Sequence, residues 1–216
     1  MKKTEQIDFW LGKFGQEYTD RNTPENLQLW NEDYFKTFGV ARFDMLHEFL
    51  SGLDKEAKIL EVGCNTGLQL GGLQQMGFKN LYGVELQQYA IEKSKSMWQG
   101  INIIQGSAFE LPFKTDFFDL VFTNGVLIHI APDDLSKALA EIVRCSAKFV
   151  MGFEYFSEES TQMNYRGNEG FLWKMNYEEV YKTNFPELKT IKEKKYPYIT
   201  EAEKGKVDSM FLLEKK

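Results

Sequence analysis

At 216 residues and 43% hydrophobic content, the chain can bury one core of ordinary size but not two separate ones. Its 26 basic and 32 acidic side chains leave a net charge of −6, the wrong sign for neutralising a phosphate backbone, which disfavours a DNA or RNA substrate. No stretch is long and apolar enough to span a bilayer, and Met1-Lys2-Lys3-Thr4-Glu5-Gln6 leads into an amphipathic segment unlike a secretory signal, so no membrane partner is expected.

Residues 1–55 read as a helical cap. Thr23-Pro24-Glu25 combines an N-cap residue, a first-turn proline and an early acid, and Leu27, Trp30, Tyr34 and Phe35 follow at helical spacing. A second helix is predicted from Ala41 to Leu50, with Phe43, Leu46, His47 and Leu50 on one face. From Lys58 short apolar runs alternate with amphipathic stretches, the pattern of βαβ units in a mostly parallel sheet. The predicted strands are Lys58 to Val62, Asn80 to Glu85, Ile101 to Gln105, Phe118 to Asn124 and Ala147 to Phe153. Helices are expected near Gly67 to Met76, Gln88 to Trp98 and Asp133 to Arg144, the last with Leu135, Ala138, Leu139, Ile142 and Val143 on its apolar face.

Residues 56–216 thus form a core, with a lid-like insertion at about 154–175 that is rich in aromatic, polar and glycine residues. Asn176-Tyr177-Glu178-Glu179 reads as a capping box, Lys192-Glu193-Lys194-Lys195 as a solvated face, and Val207 to Leu213 as a final strand. Cys64, Cys145, His47 and His129 form no metal-ligand spacing, so a reducing, cytoplasmic setting without a structural metal is expected.

Chemistry concentrates in Ile59-Leu60-Glu61-Val62-Gly63-Cys64-Asn65-Thr66-Gly67, which passes from a buried strand through a glycine turn into a helix. Gly63 and Gly67 let the backbone turn sharply and approach a ligand closely, and the helix that follows presents free N–H groups. A dinucleotide site would read G-x-G-x-x-G; here Glu61 precedes the turn, where a carboxylate repels a pyrophosphate but can hold the ammonium of a methionine moiety. Adenosylmethionine is favoured over NAD. Glu85 closes the second strand, where an acid accepts hydrogen bonds from two ribose hydroxyls, and Leu86 follows it. Ser107 and Ala108 follow the third strand, and Asn124, ending the fourth, runs on into Gly125 to line the floor where sulfonium and acceptor should meet.

Together these motifs resemble those of the class I S-adenosylmethionine-dependent methyltransferases, from about Lys58 to Leu213. The resemblance implies a Rossmann-like α/β fold: a seven-stranded, mostly parallel sheet of order 3-2-1-4-5-7-6 with helices on both faces and a seventh, antiparallel strand. It also implies the adenine contact at Ser107 and Ala108. Phe9-Trp10, Phe14-Gly15, Tyr18 and Arg21-Asn22-Thr23-Pro24, with Tyr165-Arg166-Gly167 and Leu172-Trp173-Lys174, are similar to the narrower group of methylases associated with pseudaminic acid biosynthesis. That similarity implies a bacterial cell-surface glycan route and leaves the acceptor open, a sugar or nonulosonic-acid intermediate being one candidate.

Several roles stay open between function and structure. His129, just past the fourth strand, is either a general base or a packing histidine. Tyr18 and Arg21, three apart, either reach the cofactor's carboxylate or are a buried tyrosine beside a surface arginine. Tyr155, Tyr165, Arg166, Trp173 and Lys174 form an aromatic, basic acceptor pocket suited to a sugar acid, or only hold their loop together. Cys64 lies in the cofactor loop as a packing residue. The function expected is methyl transfer to oxygen or nitrogen of a small molecule by a monomer or homodimer; a non-catalytic adenosylmethionine-binding sensor is the alternative.

Overall fold

The structure, a computed structural model, describes residues 4–216, so the reading of Met1-Lys2-Lys3 lies outside the described residues. Four helices open the chain: α1 (Glu5–Leu11), α2 (Lys13–Arg21), α3 (Leu27–Phe38) and α4 (Arg42–Leu50). The alternating part follows as β1 (Lys58–Val62), α5 (Leu68–Gln75), β2 (Asn80–Glu85), α6 (Gln88–Met97), β3 (Asn102–Gln105) and β4 (Phe118–Asn124). A 3-10 turn at Leu127–His129 leads to α7 (Pro132–Cys145) and β5 (Ser146–Tyr155). A small hairpin, β6 (Thr161–Gln162) and β7 (Trp173–Lys174), precedes α8 (Tyr177–Asn184), β8 (Leu188–Pro197) and β9 (Val207–Lys215).

The main sheet runs β3-β2-β1-β4-β5-β9-β8, with β9 antiparallel to both β5 and β8. This is the 3-2-1-4-5-7-6 order that the resemblance implies, the last two strands being numbered higher because the β6–β7 hairpin intervenes. β1 is central because Ile59, Leu60 and Val62 are all buried, the requirement for a strand covered on both faces. Leu60, Val62 and Val121 face a core completed by Leu135, Leu139 and Ile142 of α7 and Tyr181 of α8. Ile59, Leu120 and Phe122 face the opposite core, completed by Leu70 and Leu73 of α5 and Met45, Leu46 and Phe49 of α4.

The amino-terminal helices therefore differ in role. α3 and α4 form part of the layer on one sheet face, residues of α1 and α2 reach the cavity at the sheet's carboxyl edge, and α3 does both, its Trp30, Asp33 and Tyr34 also lining that cavity. Two local expectations are corrected. α3 is capped by Asn26, whose Oδ1 accepts from Leu29 N at 2.9 Å, while Thr23 donates to Thr19 O at 2.6 Å and so belongs to the end of α2. The inward face of α4 is Arg42, Met45, Leu46, Phe49 and Leu50, and His47 is exposed; a buried arginine shifts the face by one residue from the apolar pattern. The basic run at Lys192–Lys195 is solvated as expected but lies on edge strand β8, where Lys192 and Lys194 pair with Glu48 at 2.9 and 2.7 Å. Charged side chains of this kind discourage edge-to-edge pairing.

Candidate active site

The chain runs β1, β2, β3 on one side of the sheet and returns to β4 and β5 on the other, so the order reverses between β1 and β4. Crevices form at such a reversal, beyond the carboxyl ends of the strands. A cavity of about 470 Å³ occupies this place. Its floor is the β1–α5 turn. Gly63 N and Cys64 N both donate to Val84 O, at 2.7 and 3.1 Å, and Gly67 N donates to Cys64 O at 2.8 Å. Gly63 has φ +73°, and a Cβ there would stand 2.6 Å from Val126 Cγ2. Gly67, at φ +77°, does not line the cavity: it faces Ile103 and Trp98 and serves the turn rather than a ligand.

Glu61, Gly63, Cys64 and Asn65 line the cavity from this loop, joined by Glu85, Leu86, Ser107 and Ala108 from the next two strand ends. Glu85 is held on both sides, Oε2 accepting from Asn65 N at 2.7 Å and Oε1 from Gln87 N at 2.9 Å. Burial raises its pKa, and the backbone donors oppose that rise. Each oxygen keeps a second lone pair for a ligand hydroxyl. Glu61 is 2% exposed, its Oε2 has no hydrogen-bond partner among the described residues, and burial holds its pKa well above the usual range against the pull of Arg42. Ser107 Oγ accepts from Phe109 N at 3.2 Å, which orients its hydroxyl. Cys64 is buried and unpaired, and burial holds its thiol protonated, consistent with packing.

Arg42 was not foreseen. Fully buried, it lies between the rings of Tyr34 and Phe153, 5.0 and 4.6 Å away, and donates to Gln69 Oε1 at 2.9 Å and Asn124 Oδ1 at 2.8 Å. With its oxygen so engaged, Asn124 has its amide N–H groups left to offer the cavity it lines beside Gly125. The sequence signal was an arginine in register with Met45, Leu46 and Phe49 on a helix otherwise apolar on that face. Glu154 was also missed: it is 1% exposed, accepts from Val126 N at 3.3 Å, and is pushed up to about 7 by burial. It supports the turn that carries His129.

His129 borders this cavity and a second one of about 390 Å³. Its Nδ1 lies 2.7 Å from Phe171 O, and a carbonyl only accepts, so Nδ1 carries the proton and Nε2 is the basic nitrogen. Burial lowers its pKa to about 4, so the ring is neutral at pH 7. Trp10 and Tyr165 flank the imidazole at 4.6 and 4.9 Å. Tyr18 lines both cavities, and burial raises its pKa. Arg21 lines the first cavity from an exposed position, over the Phe14 ring and 4.0 Å from Glu17. Above the site α1 and the 163–172 segment meet: Phe9 lies 4.2 Å from Phe171, and Gln6 Nε2 donates to Gly170 O at 3.0 Å.

Of the predicted acceptor residues, Tyr155, Tyr165 and Arg166 line the second cavity, with Asp208 and Tyr198 beside them. Trp173 and Lys174 do not. Trp173 is 7% exposed and packs in the core with Leu172 and Tyr177, because β7 turns it inward; Lys174 lies outside the cavity wall, its Nζ 5.7 Å from the Tyr155 ring. The expected basic pocket thus keeps Arg166 but not Lys174, and is otherwise aromatic with a buried acid, Asp208.

Residues 60–148 match the methyltransferase domain family. A curated but uncharacterized protein of Haemophilus influenzae is 29% identical over 99 residues, which cover 43% of this chain and 39% of that one; the match thus spans about two fifths of the relative's length. Among solved structures, magnesium protoporphyrin IX methyltransferase from Synechocystis PCC 6803, with bound SAM, has a TM-score of 0.71 at 11% identity and covers 100% of both chains. A protein of Pyrococcus horikoshii OT3 has a TM-score of 0.68 at 16% identity, covering 93% of this chain and 99% of its own. These likenesses show the Rossmann-like methyltransferase fold. No helix among the described residues is long and apolar enough to cross a membrane.

Proposed function

We propose that the chain is an S-adenosylmethionine-dependent methyltransferase acting on oxygen or nitrogen of a small molecule. The observation that carries this reading is the pair of buried carboxylates, Glu61 and Glu85, on one cavity beside the glycine turn. The unpartnered oxygen of Glu61 suits the amino group of a methionine moiety, and the braced carboxylate of Glu85 suits a ribose diol. Ser107 and Ala108 line the same cavity and suit an adenine, and Tyr18 and Arg21 line it too, the arginine suited to a carboxylate.

The cofactor supplies a methyl carbon activated by a positively charged sulfur. The protein's part is to align the acceptor and exclude water. Asn124 orients the acceptor through its amide, braced by Arg42, and the aromatic cover of Trp10, Phe14 and Tyr165 shields the junction of the two cavities. His129 takes the acceptor's proton on Nε2. A neutral imidazole of low basicity suits a proton that becomes acidic only as the new bond forms.

The acceptor class suggested by the similarity to the pseudaminic-acid methylases is a sugar or nonulosonic acid, with Arg166 at the chamber mouth as its carboxylate partner. Transfer of a labelled methyl group to candidate sugar acids tests the reading. Adenosylhomocysteine binding without turnover on any acceptor would favour a sensor domain instead, and tight NAD binding with none of adenosylhomocysteine would reject the cofactor.

A further inference from the structure

We infer that the second cavity recognises an acceptor bearing a protonated amine, held by Asp208, and that this amine is an anchor distinct from the atom that is methylated. The inference rests on the methyltransferase reading and narrows its acceptor. The chamber touches the cofactor cavity through Tyr18, Tyr34, Asn124, Gly125 and His129, so a molecule within it reaches the site of transfer. Aromatic rings form much of its walls (Tyr34, Phe38, Phe153, Tyr155, Tyr165 and Tyr198), and its charged lining is Asp208, the exposed Arg166 and Asp33, which is paired with Lys36 at 3.1 Å. Rings around a buried carboxylate are the chemistry that receives an ammonium, by attraction to the ring faces and by a charge-assisted hydrogen bond.

Asp208 is built for that role and lacks its partner. It is 4% exposed, lines the chamber, and accepts one hydrogen bond, from Tyr198 OH to Oδ2 at 3.2 Å. Among the described residues no cation lies within ion-pair distance of it. Arg42 and Lys174 add positive field from outside the lining, Glu154 adds negative field, and burial still raises the Asp208 pKa to about 7. A carboxylate so placed is poorly compensated, and a bound ammonium supplies the missing counter-charge. The register of β5 against β9 sets Asp208 opposite Tyr155, so carboxylate and ring share one stretch of wall.

An ammonium has no lone pair and cannot attack a methyl carbon. The nucleophile is therefore a second group of the same molecule, a hydroxyl or another nitrogen, lying toward Asn124 and His129. In the transfer its lone pair forms the new bond to carbon, the carbon–sulfur bond breaks with its electrons staying on sulfur, and the proton passes to His129 Nε2. Hydroxylated amines such as amino sugars combine the two groups.

The test titrates glucosamine, N-acetylglucosamine and glucose into the full chain at pH 7, with and without adenosylhomocysteine, and follows binding by NMR. Glucosamine is expected to bind about ten-fold more tightly than the other two. Asp208→Asn should erase that preference while adenosylhomocysteine affinity is unchanged, and Asp208→Glu should retain part of it. Equal binding of the three sugars by the wild-type protein would overturn the inference whatever the variants do. Loss of adenosylhomocysteine binding in the wild type would instead strike the methyltransferase reading, with the amine preference still read in the arm without it.

Discussion

Glu85 spends one lone pair of each oxygen on a backbone N–H and keeps the others for a ligand, so its geometry is set before anything binds. Glu85→Ala should weaken adenosylhomocysteine binding by about 1.5–3 kcal/mol in calorimetry, the range for hydrogen bonds to a charged group; wild-type affinity would place the ribose elsewhere. His129→Ala should lower turnover and leave cofactor affinity unchanged. Because burial holds the wild-type ring to about 4, the acid limb of kcat/KM should fall near that pH rather than near 6.5. The same depressed pKa acts on stability: the contribution is complete above about pH 6.5, the unfolded value, and is lost as pH falls through about 4, where the buried ring must take up a proton. Acid titration of the melting temperature, wild type against His129→Ala, reads it. Glu61, Gly63 and Glu85 could be placed at one cavity from the sequence because each sits at or beside the carboxyl end of a plainly patterned strand, whereas Gly67 serves the turn alone. Arg42, Glu154 and Asp208 could not be so placed: Arg42 and Glu154 gain their roles from partners more than 25 residues distant, Asn124 and Val126, and Asp208 from the pairing of β9 with β5 that sets it opposite Tyr155.

At the scale of elements, hydrophobic period gave the strands of the parallel half almost residue for residue, most plainly β1 and β4, whose residues are nearly all buried. β8 escaped notice because, as an edge strand, it exposes most of its residues and shows no apolar run. α7 was plain from its apolar stripe, and Leu139 within it is fully buried. Leu139→Ala should cost about 2–5 kcal/mol in urea denaturation, the range for a large core truncation. The turn after β1 is constrained differently. Gly63→Ala meets both a positive φ and the Val126 side chain, so it should lose stability by about 1–3 kcal/mol and weaken adenosylhomocysteine binding together, measured by denaturation and calorimetry on the same sample. A normal cofactor affinity in that variant would show that the turn tolerates repositioning of Val126.

For the whole molecule, the cavity is walled by loops from opposite sides of the sheet reversal and by α1 and α2, which lie far from it in sequence. A ligand there joins segments that otherwise open separately. Adenosylhomocysteine at a hundred times its Kd should stabilise the fold by about 2.7 kcal/mol, a rise of roughly 5–10 °C in Tm for a chain of this size. An unchanged Tm in differential scanning calorimetry would reject cofactor binding at this cavity. The overall order of the sheet could be anticipated from the family resemblance; which amino-terminal helices layer the core, which reach the cavity and that α3 does both could not, because amphipathic helices read alike until their partners are known.

The bond from His129 Nδ1 to Phe171 O joins these scales. The oxygen that decides which imidazole nitrogen is basic belongs to the segment that also presses on Phe9 and covers the chamber. On the proposed reading shelter and proton acceptance are thereby interlocked: with the segment displaced, neither tautomer is enforced, and the base is defined only while water is shut out. On that reading one segment both covers the reacting groups and fixes where the proton goes.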